Sequence, residues 1–123
     1  MPNPLNWQVL TDPAHLDDLI AQSRHHPQLI FKHSTRCSVS DLALSRLKTA
    51  EADLAPYATL HYLDLIAHRV VSDDVAQRFQ VVHESPQVLL VFAGECVLEQ
   101  SHLGVQAGEL VDVLRTLTPS QPE

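Results

Sequence analysis

Residues 29–44 read LIFKHSTRCSVSDLAL, and this stretch decides how the chain is built. Leu29, Ile30 and Phe31 form a short apolar, β-rich run of the kind found in a buried strand. The polar residues His33-Ser34-Thr35-Arg36 then read as a loop. From Ser40 onward, Leu42, Leu44 and Leu47 recur among Ala, Arg, Lys and Glu, a composition that predicts a helix over 40–54. Cys37 therefore stands where a strand hands over to a helix.

Working outward, Asp12-Pro13 is a helix start, and Leu16, Leu19 and Ile20 keep helical spacing until His25-His26-Pro27 ends a helix over 13–25. Trp7-Gln8-Val9 reads as one further, edge strand. Pro56 breaks the helix after Cys37, residues 60–65 alternate as a strand, and Ser72-Asp73-Asp74 reads as the cap of a short helix carrying Val75, Ala76 and Phe79. After Pro86 comes a continuous apolar strand over 88–92, a turn at Ala93-Gly94-Glu95, and a hairpin partner over 96–99. An amphipathic helix with Leu110, Val111, Val113 and Leu114 follows Gly108. This order predicts an α/β sandwich around a mixed sheet, with thioredoxin-like topology. One domain is expected over 1–118, with 119–123 as a frayed tail.

The chain of 123 residues carries 8 Lys+Arg against 15 Asp+Glu, a formal charge of −7, and has no basic run to neutralise a phosphate backbone. Nucleic acid is not an expected partner. Neither a basic-plus-apolar leader nor a membrane-length apolar run of roughly 18 residues is seen, so a soluble, cytoplasmic protein is expected. Two cysteines do not make a secreted disulfide framework, and in a reducing compartment a lone thiol is either buried filler or a reactive group.

For Cys37 the surroundings favour reactivity. A helix N-terminus offers unpaired N–H groups and a positive dipole end, which favour a thiolate, the species that attacks disulfides. The dipole supplies only about 0.3–1 kcal/mol, less than the ~1.4 kcal/mol behind a tenfold change in thiolate population, so Arg36 or direct N–H bonds must contribute. Flanking Arg36, Ser38 and Ser40 make the site polar. Position 40, where a Cys-x-x-Cys motif carries its second sulfur, is serine, so the chemistry is expected to be monothiol. Cys96, past the turn at the far end of the 88–92 strand, reads as a packing residue.

The eight histidines show no metal-ligand spacing, so no metal site is expected. His33, His83 and His102 are candidates to lie near the sulfur, although a structural role is the simpler reading of each. Glu84 reads as a solvent-facing loop residue, and Asp17-Asp18 and Asp73-Asp74 as first-turn or exposed helical carboxylates.

His33-Ser34-Thr35-Arg36-Cys37-Ser38-Val39-Ser40, His83-Glu84-Ser85-Pro86-Gln87 and Ser101-His102 before Gly104, with Trp7 and the Ile30-Phe31-Lys32 lead-in, resemble the monothiol bacilliredoxins, the YtxJ-like family of the bacillithiol system. The resemblance covers nearly the whole chain. It implies a thioredoxin-like three-layer α/β/α sandwich, Cys37 as nucleophile and Pro86 as a cis-proline facing it. It also implies that the Ser85 backbone pairs with an extended substrate. Thr35, Arg36, Ser38, Ser40, Ser85 and Pro86 are then the substrate-binding residues. Ser38 departs from the proline that many members carry after the cysteine, which restores an N–H and loosens the turn.

The expected activity is thiol-disulfide exchange that strips bacillithiol or a similar low-molecular-weight thiol from S-thiolated proteins. The small thiol is a co-substrate, and no cofactor is expected to be bound. Two other readings stand beside it: ligation of an iron-sulfur cluster by Cys37 and a small thiol between two subunits, as in monothiol glutaredoxins, and a redox sensor that is thiolated without turning over.

Overall fold

The computed structural model describes residues 7–117. Its elements are β1 (Gln8–Val9), α1 (Pro13–Gln22), β2 (Gln28–His33), α2 (Ser38–Thr49), α3 (Glu51–Leu54), β3 (Thr59–Asp64), α4 (Arg69–Phe79), β4 (Gln87–Phe92), β5 (Glu95–Ser101), a single 3-10 turn at His102–Gly104, and α5 (Ala107–Leu117). The strands form one sheet in the order β1-β3-β2-β4-β5. β3 is parallel to β1 and β2, and β4 is antiparallel to β2 and β5, so the expected mixed sheet and edge strand are present.

Strand residues alternate between two cores, as the period of two requires. Leu29, Phe31, Leu60, Tyr62, Val88 and Leu90 face α2, α3 and α5 through Ala43, Leu47, Leu54, Leu110 and Leu114. Ile30, Leu63, Leu89 and Val91 face α1 and α4 through Leu16, Leu19, Val71 and Val75. Helices thus cover both faces, the three-layer α/β/α sandwich that the sequence predicted.

Several boundaries differ from expectation, each for a local reason. α1 stops at Gln22 because the Ser23 hydroxyl turns back to the Ile20 carbonyl at 2.6 Å and accepts the Gly94 N–H at 3.0 Å. The helix expected over 40–54 begins at Ser38 and breaks at Ala50 (φ −96°, ψ 5°), which turns α3 so that Leu54 enters the core. α4 begins at Arg69, so Ser72 is a buried residue inside the helix and not its cap. The chain is turned into α4 by the Asp64 carboxylate, which accepts the Ile66 and Ala67 N–H groups at 3.0 and 3.1 Å. β2 runs on through the buried Lys32 to His33, also buried, where the loop was expected to begin. The hairpin turn is Ala93-Gly94 alone, both at positive φ (56° and 82°), the backbone a two-residue hairpin needs. The tail at 119–123 lies outside the described residues. No helix among those described is long and apolar enough to cross a membrane.

Candidate active site

Cys37 is the N-cap residue of α2, with extended backbone (φ −123°, ψ 122°) and a carbonyl that accepts the Asp41 N–H at 3.1 Å. Its side chain makes no capping hydrogen bond, so the sulfur sits at the helix end whose first N–H groups lack intrahelical acceptors. Cys37 itself is half-buried, and Thr35, Arg36 and Ser38 around it are exposed.

The turn that presents Cys37 is braced from below. The Cys37 N–H donates to the Ser34 carbonyl at 3.3 Å, the Arg36 N–H to Ser34 Oγ at 3.4 Å, and the Ser34 N–H to Ser40 Oγ at 3.0 Å. Ser40 Oγ in turn lies 2.7 Å from Nδ1 of His33, a ring packed 5.5 and 5.8 Å from the Phe31 and Tyr62 ring centres. The other ring nitrogen of His33, Nε2, lies 3.8 Å from Asp41 Oδ1. Burial pushes the His33 pKa down, with Asp41 and Asp64 only partly opposing it, so the ring is held neutral. Ser40 is wholly buried. It therefore meets a substrate only through the turn it supports.

The second half of the site arrives by strand register. The last β2–β4 pair is Lys32–Gln87, and the next residues outward are His33 and Pro86. Pro86 thus emerges at the sheet end that carries the Cys37 turn, and the Ser85–Pro86 bond is cis. Ser85 is half-buried and its hydroxyl oxygen is buried without a hydrogen-bond partner. The Pro86 carbonyl accepts the His102 N–H at 2.9 Å. Arg46 of α2 then ties down the His102–Gly104 turn, donating from Nη1 to the Leu103 and Val105 carbonyls at 3.0 Å each.

The three histidines considered near the sulfur each have other partners. His33 is engaged with Ser40, His102 Nε2 lies 2.7 Å from Glu84 Oε1, and His83 Nδ1 lies 3.3 Å from Lys32 Nζ. Glu84 is the solvent-facing loop residue expected, and its carboxylate is paired with His102. Asp73 and Asp74 are not in a first turn: they face Arg69 and Arg78 at 3.3 and 3.9 Å on the outside of α4. Sequence reasoning missed Lys32 and Arg46. The available signal for Lys32 was a charged residue inside an otherwise apolar strand run.

Cys96 belongs to the opposite end of the sheet. It pairs with Val91, which pairs with Gln28 at the start of β2, roughly 17 Å of strand away from the end that carries the Cys37 turn. Its thiol donates to the Leu98 carbonyl at 3.4 Å, and burial pushes its pKa up. Both cysteines are free. Among the described residues no three His, Cys, Asp or Glu side chains are grouped so as to hold a metal ion.

Residues 8–110 match the family described as monothiol bacilliredoxin BrxC. The chain belongs to the monothiol bacilliredoxins. This bacilliredoxin is also similar in fold to a solved structure described as a candidate oxidoreductase with a thioredoxin fold, at 24% identity and a TM-score of 0.76, over 85% of this chain and 90% of that one. Fasciola hepatica thioredoxin is similar over 89% of this chain and 97% of its own at 15% identity and a TM-score of 0.67. Chlamydomonas reinhardtii thioredoxin f2 is similar over 96% and 100% at 12% identity and a TM-score of 0.69. These likenesses show the thioredoxin fold. Membership of the bacilliredoxin family adds thiol redox chemistry and a thiol partner.

Proposed function

We propose that this bacilliredoxin is a monothiol oxidoreductase that uses Cys37 to remove bacillithiol, or a similar low-molecular-weight thiol, from mixed disulfides on proteins. The observation that carries this reading is the pairing of an N-cap Cys37 with a buried, fully engaged Ser40 three residues on. The first favours a thiolate, and the second puts an oxygen where a resolving thiol would stand.

The Cys37 thiolate attacks the small-thiol sulfur of the mixed disulfide. A new disulfide forms on Cys37, the old one breaks, and the substrate protein leaves as a thiolate. With no neighbouring thiol, a second small-thiol molecule attacks the Cys37 adduct, giving the symmetrical small-thiol disulfide and regenerating the Cys37 thiolate. One protein disulfide is reduced for each small-thiol disulfide formed, and no bound cofactor takes part. Thr35, Arg36 and Ser38, exposed around the sulfur, contact the substrate, and the Ser85 backbone beside cis-Pro86 pairs with an extended protein segment. A reducing cytoplasm is the compartment in which such a cycle runs.

The test is multiple turnover with a bacillithiol-modified protein and excess bacillithiol. Release that continues past one equivalent and disappears in Cys37→Ser supports the reading. Release that stops at one equivalent makes the protein a thiolated sensor, and activity surviving in Cys37→Ser overturns the mechanism.

A further inference from the structure

Lys32 is a buried cation that the exchange chemistry leaves unused. It is wholly buried in β2, its Nζ donates to the Ser72 carbonyl of α4 at 3.1 Å, and Nζ lies 3.3 Å from His83 Nδ1. Among the described residues no carboxylate lies within ion-pair distance of it. A buried ammonium without a carboxylate is costly to stability, and an apolar residue on that face would pack with Ile30 against α4 at no such cost.

What the ammonium does gain is a junction. Three parts of the molecule meet at Nζ: the strand that leads into the Cys37 turn, the helix α4, and the irregular segment that ends in Ser85-Pro86. That segment lies outside the ladder, and side chains hold it. Gln87 Nε2 donates to the Val82 carbonyl at 3.0 Å, and Lys32 and Ser72 Oγ (3.4 Å) meet the His83 ring. An ammonium has only hydrogens to offer, so His83 Nδ1 is an acceptor and its proton sits on Nε2.

We propose that Lys32 is a positioning residue for thiol exchange, acting through His83 to hold segment 82–85, and with it the Ser85 backbone, in place for a protein substrate. The inference rests on the proposed function for its kinetic consequence, but the clasp itself can be read without turnover. Besides Lys32, the groups facing His83 are Ser72, Arg69, Asp73 and Glu84.

The experiment compares Lys32→Met, His83→Asn and His83→Leu with the wild type. Asparagine keeps an acceptor near the Nδ1 position, and leucine does not. In Lys32→Met and His83→Leu, KM for an S-thiolated protein is expected to rise at least fivefold, with kcat and the rate of Cys37 alkylation within twofold of wild type. His83→Asn is expected to stay within twofold throughout, and the Lys32→Met/His83→Leu double variant to be no worse than either single one. In NMR titrations the His83 midpoint is expected to move up in Lys32→Met. An unchanged KM, multiplying effects in the double variant, or a loss of alkylation equal to the loss of turnover overturns the proposal. If Lys32→Met does not fold, the His83→Leu and His83→Asn pair decides it by the same KM criterion. If the wild type itself does not turn over, the proposed function fails and the His83 titration decides this inference: an upward shift supports it, and an unchanged midpoint overturns it.

Discussion

Ser40 Oγ stands 2.7 Å from His33 Nδ1 and accepts the Ser34 N–H at 3.0 Å, so the position three residues past Cys37 is a buried strut under the reactive turn. Removing the hydroxyl in Ser40→Ala leaves one N–H and one imidazole nitrogen unpaired in the interior. A loss of about 1–3 kcal/mol is expected. Urea unfolding measures it, and a loss under about 0.5 kcal/mol, the size of an ordinary surface change, contradicts the strut.

Acid should weaken the fold through its buried histidines. Burial pushes His61 from 6.5 to about 4 and pulls His33 and His83 down as well. His61 Nε2 donates to Gln28 Oε1 at 2.7 Å while Nδ1 is buried without a partner, so a second ring proton has nowhere to go. Above pH 6.5 the ring is neutral in both folded and unfolded chains, and stability is unaffected by it. Below 6.5 the unfolded chain takes up the proton first, and stability falls until the folded ring also titrates near pH 4. His61 alone accounts for up to roughly 3 kcal/mol across that window. Denaturant midpoints at pH 7, 6 and 5 should decline in that order; a flat profile contradicts the assignment.

The two thiols should separate cleanly in alkylation. Burial and the neighbouring Glu99 raise the Cys96 pKa, whereas Cys37 is more than one strand length away at a helix N-terminus. Iodoacetamide at neutral pH is expected to modify Cys37 first, with Cys96, whose thiol is kept protonated by burial, clearly slower. Peptide mapping reads this directly. Cys96→Ser should leave turnover within twofold of wild type, and equal labelling of the two thiols would contradict the contrast drawn between them.

Arg46 is expected to matter for the far wall of the site. Its two bonds to the Leu103 and Val105 carbonyls hold the His102–Gly104 turn on α2, and His102 in turn bonds the Pro86 carbonyl. Arg46→Ala should lower stability by about 1–2 kcal/mol and speed amide exchange at His102, with little change at β1. Uniform acceleration across the sheet would show a global effect in its place.

The parts of this fold legible in the sequence were those written in periodicity. The apolar runs at Leu29-Ile30-Phe31 and over 88–92, and the strand-to-helix handover at Cys37, all stand where their patterns put them. What stayed hidden depended on contacts far apart in the chain. His33 read as polar loop, and Lys32 was given no role, because their partners, Ser40, Ser72 and His83, become neighbours only in the folded sheet. Ser72-Asp73-Asp74 looked like a cap because the residue that starts α4, Asp64, lies at the end of a strand. The pairing of Glu84 with His102 was not legible because His102 reaches it only after the hairpin brings β5 back along β4.

The most direct measurement of the central claim is intact mass after mixing the reduced protein with one equivalent of a bacillithiol-modified protein and no free thiol. The account predicts that the small thiol moves onto Cys37, so this chain gains its mass, the substrate loses it, and Cys37→Ser gains nothing. A disulfide joining the two proteins, or transfer that persists in Cys37→Ser, would contradict it.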